Sequence, residues 1–182
     1  MLYELIIPTL PNNRSILNNS MESFKAWDKS RTLKFNVVCR DQTFEKNVNE
    51  GIRTLSSETE AVVIGNDDVF AIGDWQGICS EMLKTFDVIN GTGMVQCGDL
   101  FPFWFCVMKR KVIDEVGLLD EEYEQFSSDH DYIMQMMEKG FKIANYRLPL
   151  LHIESYSTKK LENEQELMKK NRERFKSKWR RE

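Results

Sequence analysis

Residues 61–68 have the sequence AVVIGNDD, in which an apolar run is followed directly by an amide and two carboxylates. A short apolar run that ends at polar residues is typical of a buried strand in a parallel sheet. In open α/β sheets, ligands bind at the carboxyl ends of the strands. We therefore expect Asn66, Asp67 and Asp68 to lie at a ligand-binding edge of a sheet.

Strands and helices alternate on both sides of this stretch. Apolar runs predict strands at residues 3–7 and 33–39, and a strand interrupted by two glycines at 88–96. Helical spacing of apolar residues predicts helices at 15–27, 44–55 and 74–86. This alternation predicts an α/β domain with a mostly parallel, Rossmann-like central sheet flanked by helices.

The second half of the chain has a different pattern. A dense aromatic and apolar run occupies residues 101–108. Helices are predicted at 109–116 and 129–139, and strands at 141–146 and 148–153. Residues 159–182 form one charged, amphipathic segment that predicts a C-terminal helix. We therefore place one α/β domain at 1–158 and a basic helical tail at 159–182.

Charge is distributed unevenly along the 182 residues. The net charge is -4, yet residues 159–182 contain ten Lys or Arg and only five Glu. An acidic body argues against broad binding to a nucleic-acid backbone over its main surface, since such binding needs clustered cations.

Targeting signals and cysteines indicate the compartment. No apolar run is long enough to span a membrane, and the first residues lack the basic region of a signal peptide. The four cysteines are scattered, which favours reduced thiols over disulfides. We expect a soluble, cytoplasmic protein.

Three groups of residues are candidates for chemistry, and each has a purely structural alternative. Adjacent carboxylates at Asp67 and Asp68 suit Mg²⁺ or Mn²⁺ bound beside a diphosphate, or simply a capped turn. Asp129 and Asp131 begin a predicted helix, where one can act as a general base or both can cap the helix. His152 follows an apolar run and is either a packed core residue or a metal ligand.

Order and spacing of these groups resemble family 2 glycosyltransferases, whose catalytic domain has the GT-A fold. ELIIPTLPNN (4–13) is similar to the family's first strand and nucleotide-binding loop, and NVVCRDQT (36–43) to its second strand. AVVIGNDDVF (61–70) resembles the strand that leads to the metal-binding acidic motif. Residues 108–144 resemble the acceptor-side motif, and LLHIES (150–155) the strand that ends in the metal-binding histidine.

The resemblance implies a role for individual residues. Asp68 and His152 would bind the metal, Asp129 would be the catalytic base, and Asp131 would be its reserve. This chain has Asn66 where the family has its first metal-motif acid, and Ser128 where a glutamate precedes the base. The donor nucleotide would contact a larger set: Pro8, Thr9, Leu10, Pro11, Asp41, Asn66 and Asp67.

The activity implied by the resemblance is transfer of a sugar from a nucleotide-diphosphate sugar, UDP-sugar above all, to an acceptor hydroxyl. The cofactor would be Mn²⁺ or Mg²⁺, the transfer would invert the anomeric centre, and the acceptor would be a glycan, a protein or a modified nucleic acid. Phe103 and Trp104 are candidates for stacking on the acceptor. Two other functions stay open: a non-catalytic relative that binds nucleotide-sugar or a partner, and a nucleotidyltransferase of related fold.

Three interpretations of the basic tail are open. It packs on the body as a solvated helix, forms a homodimer through its apolar stripe, or holds an anionic acceptor or surface. The stripe consists of Leu161, Met168, Phe175 and Trp179.

Overall fold

The computed structural model describes residues 1–93, 102–124, 126–153 and 164–179. Six strands form the main sheet in the order β2-β1-β3-β6-β5-β7. In chain order they are β1 (Tyr3–Thr9), β2 (Leu33–Cys39), β3 (Ala61–Gly65), β5 (Val88–Asn90), β6 (Phe105–Lys109) and β7 (Ile143–Asn145). A separate two-stranded sheet pairs β4 (Val69–Ala71) with β8 (Leu150–His152).

The direction of the strands is the same throughout the main sheet except at β6. β1 is parallel to β2 and β3, and β5 is parallel to β7, whereas β6 lies antiparallel between β3 and β5. The predicted α/β class and mostly parallel central sheet flanked by helices are confirmed. The antiparallel strand β6 was not predicted, because its residues belong to an aromatic run without a clear period.

Helices cover both faces of the sheet. α1 (Arg14–Trp27) and α3 (Trp75–Met82) pack on one face around Phe24, Trp75 and Phe105. α2 (Phe44–Arg53), α4 (Arg110–Val116) and α5 (Ser128–Glu138) pack on the other around Val48 and Tyr132. Side chains of β1 alternate between the two cores, since successive residues of a strand point to opposite faces.

The C-terminal helix α6 (Glu164–Trp179) packs on the body of its own chain. Leu167 and Asn171 are buried, and Phe175 contacts the core beside α5. The predicted stripe is therefore wrong at Met168, which is 44% exposed, because Leu167 occupies the inward position one residue earlier. Leu161 and the predicted domain boundary at 158/159 lie outside the described residues.

Two further expectations concern cysteines and the membrane. Cys39, Cys79 and Cys106 are free thiols, and Cys97 falls outside the described part of the chain. Among the described helices, none combines the length and the apolar character that crossing a bilayer requires.

Asp87 connects the ends of β5, β6 and β7, at the end of the sheet opposite to the acidic turn, residues 66–68. Its carboxylate lies 3.1 Å from Lys109 Nζ and 2.8 Å from Lys111 Nζ, and it accepts a hydrogen bond from the Lys142 backbone N–H. Burial opposes ionisation, but hydrogen bonds from Lys111, the Lys142 backbone and Lys109 outweigh it and lower the pKa of Asp87 to about 2.

We predict that Asp87→Asn lowers the free energy of unfolding by about 1 kcal/mol at pH 7, because the lysine partners are partly exposed to solvent. The folded-state pKa lies below the unfolded value of about 3.9, so this stabilisation is present above about pH 4 and is lost toward pH 2. Urea denaturation of both proteins across pH 2–7 measures it. A difference between the two that does not shrink on acidification would contradict the assignment.

Candidate active site

A cavity of about 340 Å³ opens at the carboxyl ends of β1 and β3. Both strands run in the same direction and are neighbours, so the residues that follow them meet at one edge. The antiparallel strand β6 brings the residues that precede it to the same edge, and α5 brings its first turn. The lining residues are Pro8, Thr9, Leu10, Asn13, Gln42, Phe44, Asn47, Asn66, Asp67, Pro102, Phe103, Trp104, Phe126, Ser128, Asp129 and His152.

Asp67 is a buried carboxylate held by the end of β1 and the segment that follows it. Thr9 Oγ1 donates to Asp67 Oδ2 at 2.5 Å, and Asn13 Nδ2 donates to the same oxygen at 3.0 Å. All three side chains are less than a tenth exposed. A buried carboxylate is tolerated only when hydrogen bonds replace its lost hydration, and these two donors supply them.

Asp68 lies beside His152 because β4 and β8 pair directly after the acidic turn. Val69 is the register partner of His152, and the Ile153 N–H donates to the Asp68 carbonyl at 3.0 Å. His152 Nε2 is 3.1 Å from Asp68 Oδ1. Asp68 Oδ1 is buried and accepts no hydrogen bond of acceptable geometry from the described residues. It is therefore close to His152 Nε2 without being hydrogen-bonded to it.

Trp104 lies against His152 at the cavity wall. The two rings stack with centroids 4.7 Å apart and planes inclined by 18°. Trp104 is half-buried, whereas its neighbour Phe103 is 3% exposed and packs edge-to-face on Tyr132. Both predicted aromatic residues line the cavity, but only Trp104 presents substantial ring surface there.

Asp129 lines the cavity from the first turn of α5. Its Oδ1 accepts a hydrogen bond from the His130 backbone N–H at 2.9 Å. Its Oδ2 makes no hydrogen bond to the described residues, and the side chain is half-buried. A cavity-lining carboxylate with one oxygen held by a hydrogen bond and the other without one to the described residues has the arrangement required of a proton acceptor.

Asp131, the reserve base, is not brought into the cavity. It is fully buried, accepts hydrogen bonds from Trp179 Nε1 at 2.7 Å and Gln135 Nε2 at 2.7 Å, and lies 2.8 Å from Lys178 Nζ. The two aspartates are two residues apart in a helix and so point in different directions. We therefore correct the prediction: Asp131 anchors α6 and does not face the site.

Two residues that were predicted to contact the nucleotide of the sugar donor also lie outside the cavity. Asp41 and Pro11 are exposed and do not line it. Gln42 and Asn47 line the cavity instead, and Gln42 Nε2 donates to Asn47 Oδ1 at 2.9 Å. The polar residues after β2 indicated that this segment contributes to the cavity. Their periodicity does not show which of their side chains point into it. Asn13, likewise polar and directly after β1, was also missed.

The described residues contain no group of three or more His, Cys, Asp and Glu side chains placed to hold a metal ion. Asp68 Oδ1 and His152 Nε2 are nonetheless both atoms that Mn²⁺ accepts as ligands. A buried, unbonded carboxylate oxygen beside an imidazole nitrogen fits two positions of a coordination shell that phosphate oxygens and water complete.

The fold is that of solved glycosyltransferases. The catalytic domain of Drosophila β1,4-galactosyltransferase 7, in complex with xylobiose, matches with a TM-score of 0.71 at 14% identity, over 93% of this chain and 79% of that one. A mutant of the same enzyme, in complex with manganese, UDP-Gal and xylobiose, gives a TM-score of 0.69 at 12% identity, over 92% and 79% of the two chains.

A bacterial protein shows the same likeness. TarS of S. aureus, in complex with UDP, matches with a TM-score of 0.63 at 14% identity, over 97% of this chain and 72% of that one. No protein-family model matches the sequence, and no curated protein sequence matches it. At these identities the solved structures establish the GT-A fold of this chain.

The two aspartates of α5 should differ in what their substitution does. Asp131→Asn is predicted to lower the free energy of unfolding by about 1–3 kcal/mol, because it removes the buried charge to which Lys178 and Trp179 of α6 donate. Asp129→Asn should change it by less than about 0.5 kcal/mol, since that side chain is half-exposed. Chemical denaturation at pH 7 compares the two, and equal stability of both variants would contradict the anchoring role of Asp131.

Proposed function

We propose that this chain is a glycosyltransferase that moves a sugar from a UDP-sugar to a hydroxyl group of an acceptor, with Mn²⁺ or Mg²⁺ as cofactor and inversion at the anomeric carbon. The observation that carries the proposal is the meeting of Asp67, His152 and Asp129 around one cavity, with Asp68 Oδ1, which does not itself line the cavity, 3.1 Å from His152 Nε2. These residues come from three separate parts of the chain, and the fold brings them to one edge of the sheet.

The charge of the cavity supports a metal-bound diphosphate. Asp67 and Asp129 line it, and no lysine or arginine is among its described lining residues. A diphosphate placed beside two carboxylates without a counter-cation would be repelled. Asp68 and His152 would hold the cation, which when bound stabilises negative charge on the departing diphosphate.

The size and walls of the cavity support a nucleotide-sugar. Its volume of about 340 Å³ is at the lower end of the range of about 300–1,000 Å³ typical of ligand sites. Thr9, Asn13 and Asn47 offer hydrogen-bonding groups at one wall, and the half-buried ring of Trp104 offers a flat apolar surface for a sugar. The neighbours solved with UDP-Gal and with UDP support uridine as the donor base.

Asp129 would act as the general base. Its free Oδ2 would accept the proton of the acceptor hydroxyl while that oxygen forms a bond to the anomeric carbon. The bond between the anomeric carbon and the diphosphate oxygen breaks, and the diphosphate leaves with the electron pair. A single displacement of this kind inverts the anomeric centre. Asp67, whose Oδ2 accepts hydrogen bonds from Thr9 and Asn13, would fix the sugar or a cation-bound water.

The acceptor would be a molecule that presents a hydroxyl group at the wall formed by Phe126, Ser128 and Asp129. A glycan, a protein or a modified nucleic acid each meets that requirement. A homodimer through α6 has no support, because Leu167 and Phe175 of that helix already pack on their own chain.

Turnover of UDP-sugars tests this proposal. We predict that Asp129→Asn lowers the rate of UDP release by about 100-fold or more, the usual contribution of a general base, and that Asp68→Ala lowers it at least as much. A panel of UDP-sugars with Mn²⁺ and a coupled assay for UDP measures the rate, with Asp87→Asn as a control of similar charge change remote from the cavity.

Near-normal rates in Asp129→Asn would contradict the role of that residue. Binding of UDP-sugar by the wild-type protein without any release of UDP would instead favour a non-catalytic binding protein. Release of pyrophosphate from a nucleoside triphosphate would favour a nucleotidyltransferase.

A further inference from the structure

Glu45 is a fully buried carboxylate that none of the roles above uses. It lies in the first turn of α2 and has no solvent-exposed surface. Ser128 Oγ donates to Glu45 Oε1 at 2.6 Å, although the two residues are 83 positions apart in the chain. A buried carboxylate beside the first turns of two helices is favoured by the partial positive charge of the helix N-termini.

Both ends of this hydrogen bond lie at the cavity. Phe44 and Asn47, on either side of Glu45 in α2, line it, and so do Ser128 and Asp129 at the start of α5. The bond therefore connects the wall after β2 to the wall that carries the proposed base. Since each residue is covalently next to lining residues, displacement of either one shifts the width of the cavity.

The start of α5 needs an external support. Ser127, the residue before the helix, has φ 68°, a left-handed conformation that residues with a side chain rarely adopt, and its side chain makes no capping hydrogen bond. Such a conformation persists only where surrounding contacts hold it. The buried bond from Ser128 to Glu45 is a contact of that kind at this position.

We propose that Glu45 is a positioning residue for the reaction: through Ser128 it fixes the first turn of α5 against α2 and so holds Asp129 at the cavity. The proposal rests on the proposed function for its kinetic consequence, whereas its structural part concerns the placement of residues 126–131 alone. A misplacement of a reacting group by about 1 Å can lower a rate by about 100-fold, so a support of this kind affects turnover without touching substrate.

The test removes the hydrogen bond by substituting either its donor or its acceptor. The effects are compared with those of removing a similar buried hydrogen bond that is remote from the cavity. Ser128→Ala and Glu45→Leu delete it, whereas Glu45→Gln keeps an acceptor oxygen for Ser128. Thr59→Val is the control, because Thr59 Oγ1 donates at 2.5 Å to Glu4, another buried glutamate, near the amino end of β1 and away from the cavity.

Two measurements are made on each protein. Hydrogen–deuterium exchange with mass spectrometry reports the protection of residues 126–133. Steady-state kinetics with a UDP-sugar and Mn²⁺ reports kcat and KM. We expect Ser128→Ala and Glu45→Leu to raise exchange in this segment and to lower kcat by about 10- to 100-fold, with the donor KM within about threefold of wild type.

Glu45→Gln should keep most of the protection and of kcat, and Thr59→Val should change neither, even if it lowers overall stability. Unchanged exchange at 126–133 in Ser128→Ala and Glu45→Leu would overturn the inference, as would an equal loss of kcat in Glu45→Gln and Glu45→Leu. Absence of UDP-sugar turnover in the wild-type protein would overturn the proposed function, and the exchange measurement would still decide whether Glu45 holds the segment.

Discussion

Asp67 is a carboxylate with almost no contact with solvent, and its two donors are Thr9, the last residue of the neighbouring strand β1, and Asn13, from the segment that follows that strand. Burial of this charge is acceptable only while both donors are in place. The ends of β1 and β3 are consequently tied to each other, and the turn that carries Asp68 is fixed with them. The placement of His152 and the shape of the cavity depend on that turn.

A second constraint acts on the opposite side of the cavity. α5 is held by hydrogen bonds from two directions: the buried Glu45 of α2 accepts from Ser128, and Lys178 and Trp179 of α6 donate to the buried Asp131. Asn171 adds bonds to the carbonyls of Glu124 and Phe126, the second of which lines the cavity. The C-terminal helix is thus part of the framework that positions the site, and its basic residues are used partly inside the molecule.

The sequence was sufficient to predict the α/β class, the strand before the acidic turn and most of the helices, because apolar periodicity is strong in those segments. β4 and β6 were missed. β4 is three residues long, and β6 lies within an aromatic run in which buried and half-buried residues follow one another without alternation. Short strands that depend on tertiary pairing leave little trace in local periodicity.

Among the predicted site residues, those fixed by the ends of strands lie together at the cavity, whereas those whose position depends on side-chain direction do not all line it. Thr9, Asp67 and His152 end or follow strands, and the sheet places them together. Asp131 and Asp41 are acidic and close in sequence to lining residues, yet neither lines the cavity. Glu45 gave no sequence signal, because an acidic residue in the first turn of a helix is ordinarily a favourable exposed charge.

Calorimetric titration of UDP into the wild-type protein, with Mn²⁺ and again after chelation by EDTA, tests the central claim most directly. If Asp68 and His152 hold a cation that neutralises the diphosphate beside Asp67, binding should be measurable with Mn²⁺, should be lost with EDTA, and should be lost in Asp68→Ala with Mn²⁺ present. UDP binding of equal strength with and without the metal, or in Asp68→Ala, would contradict it.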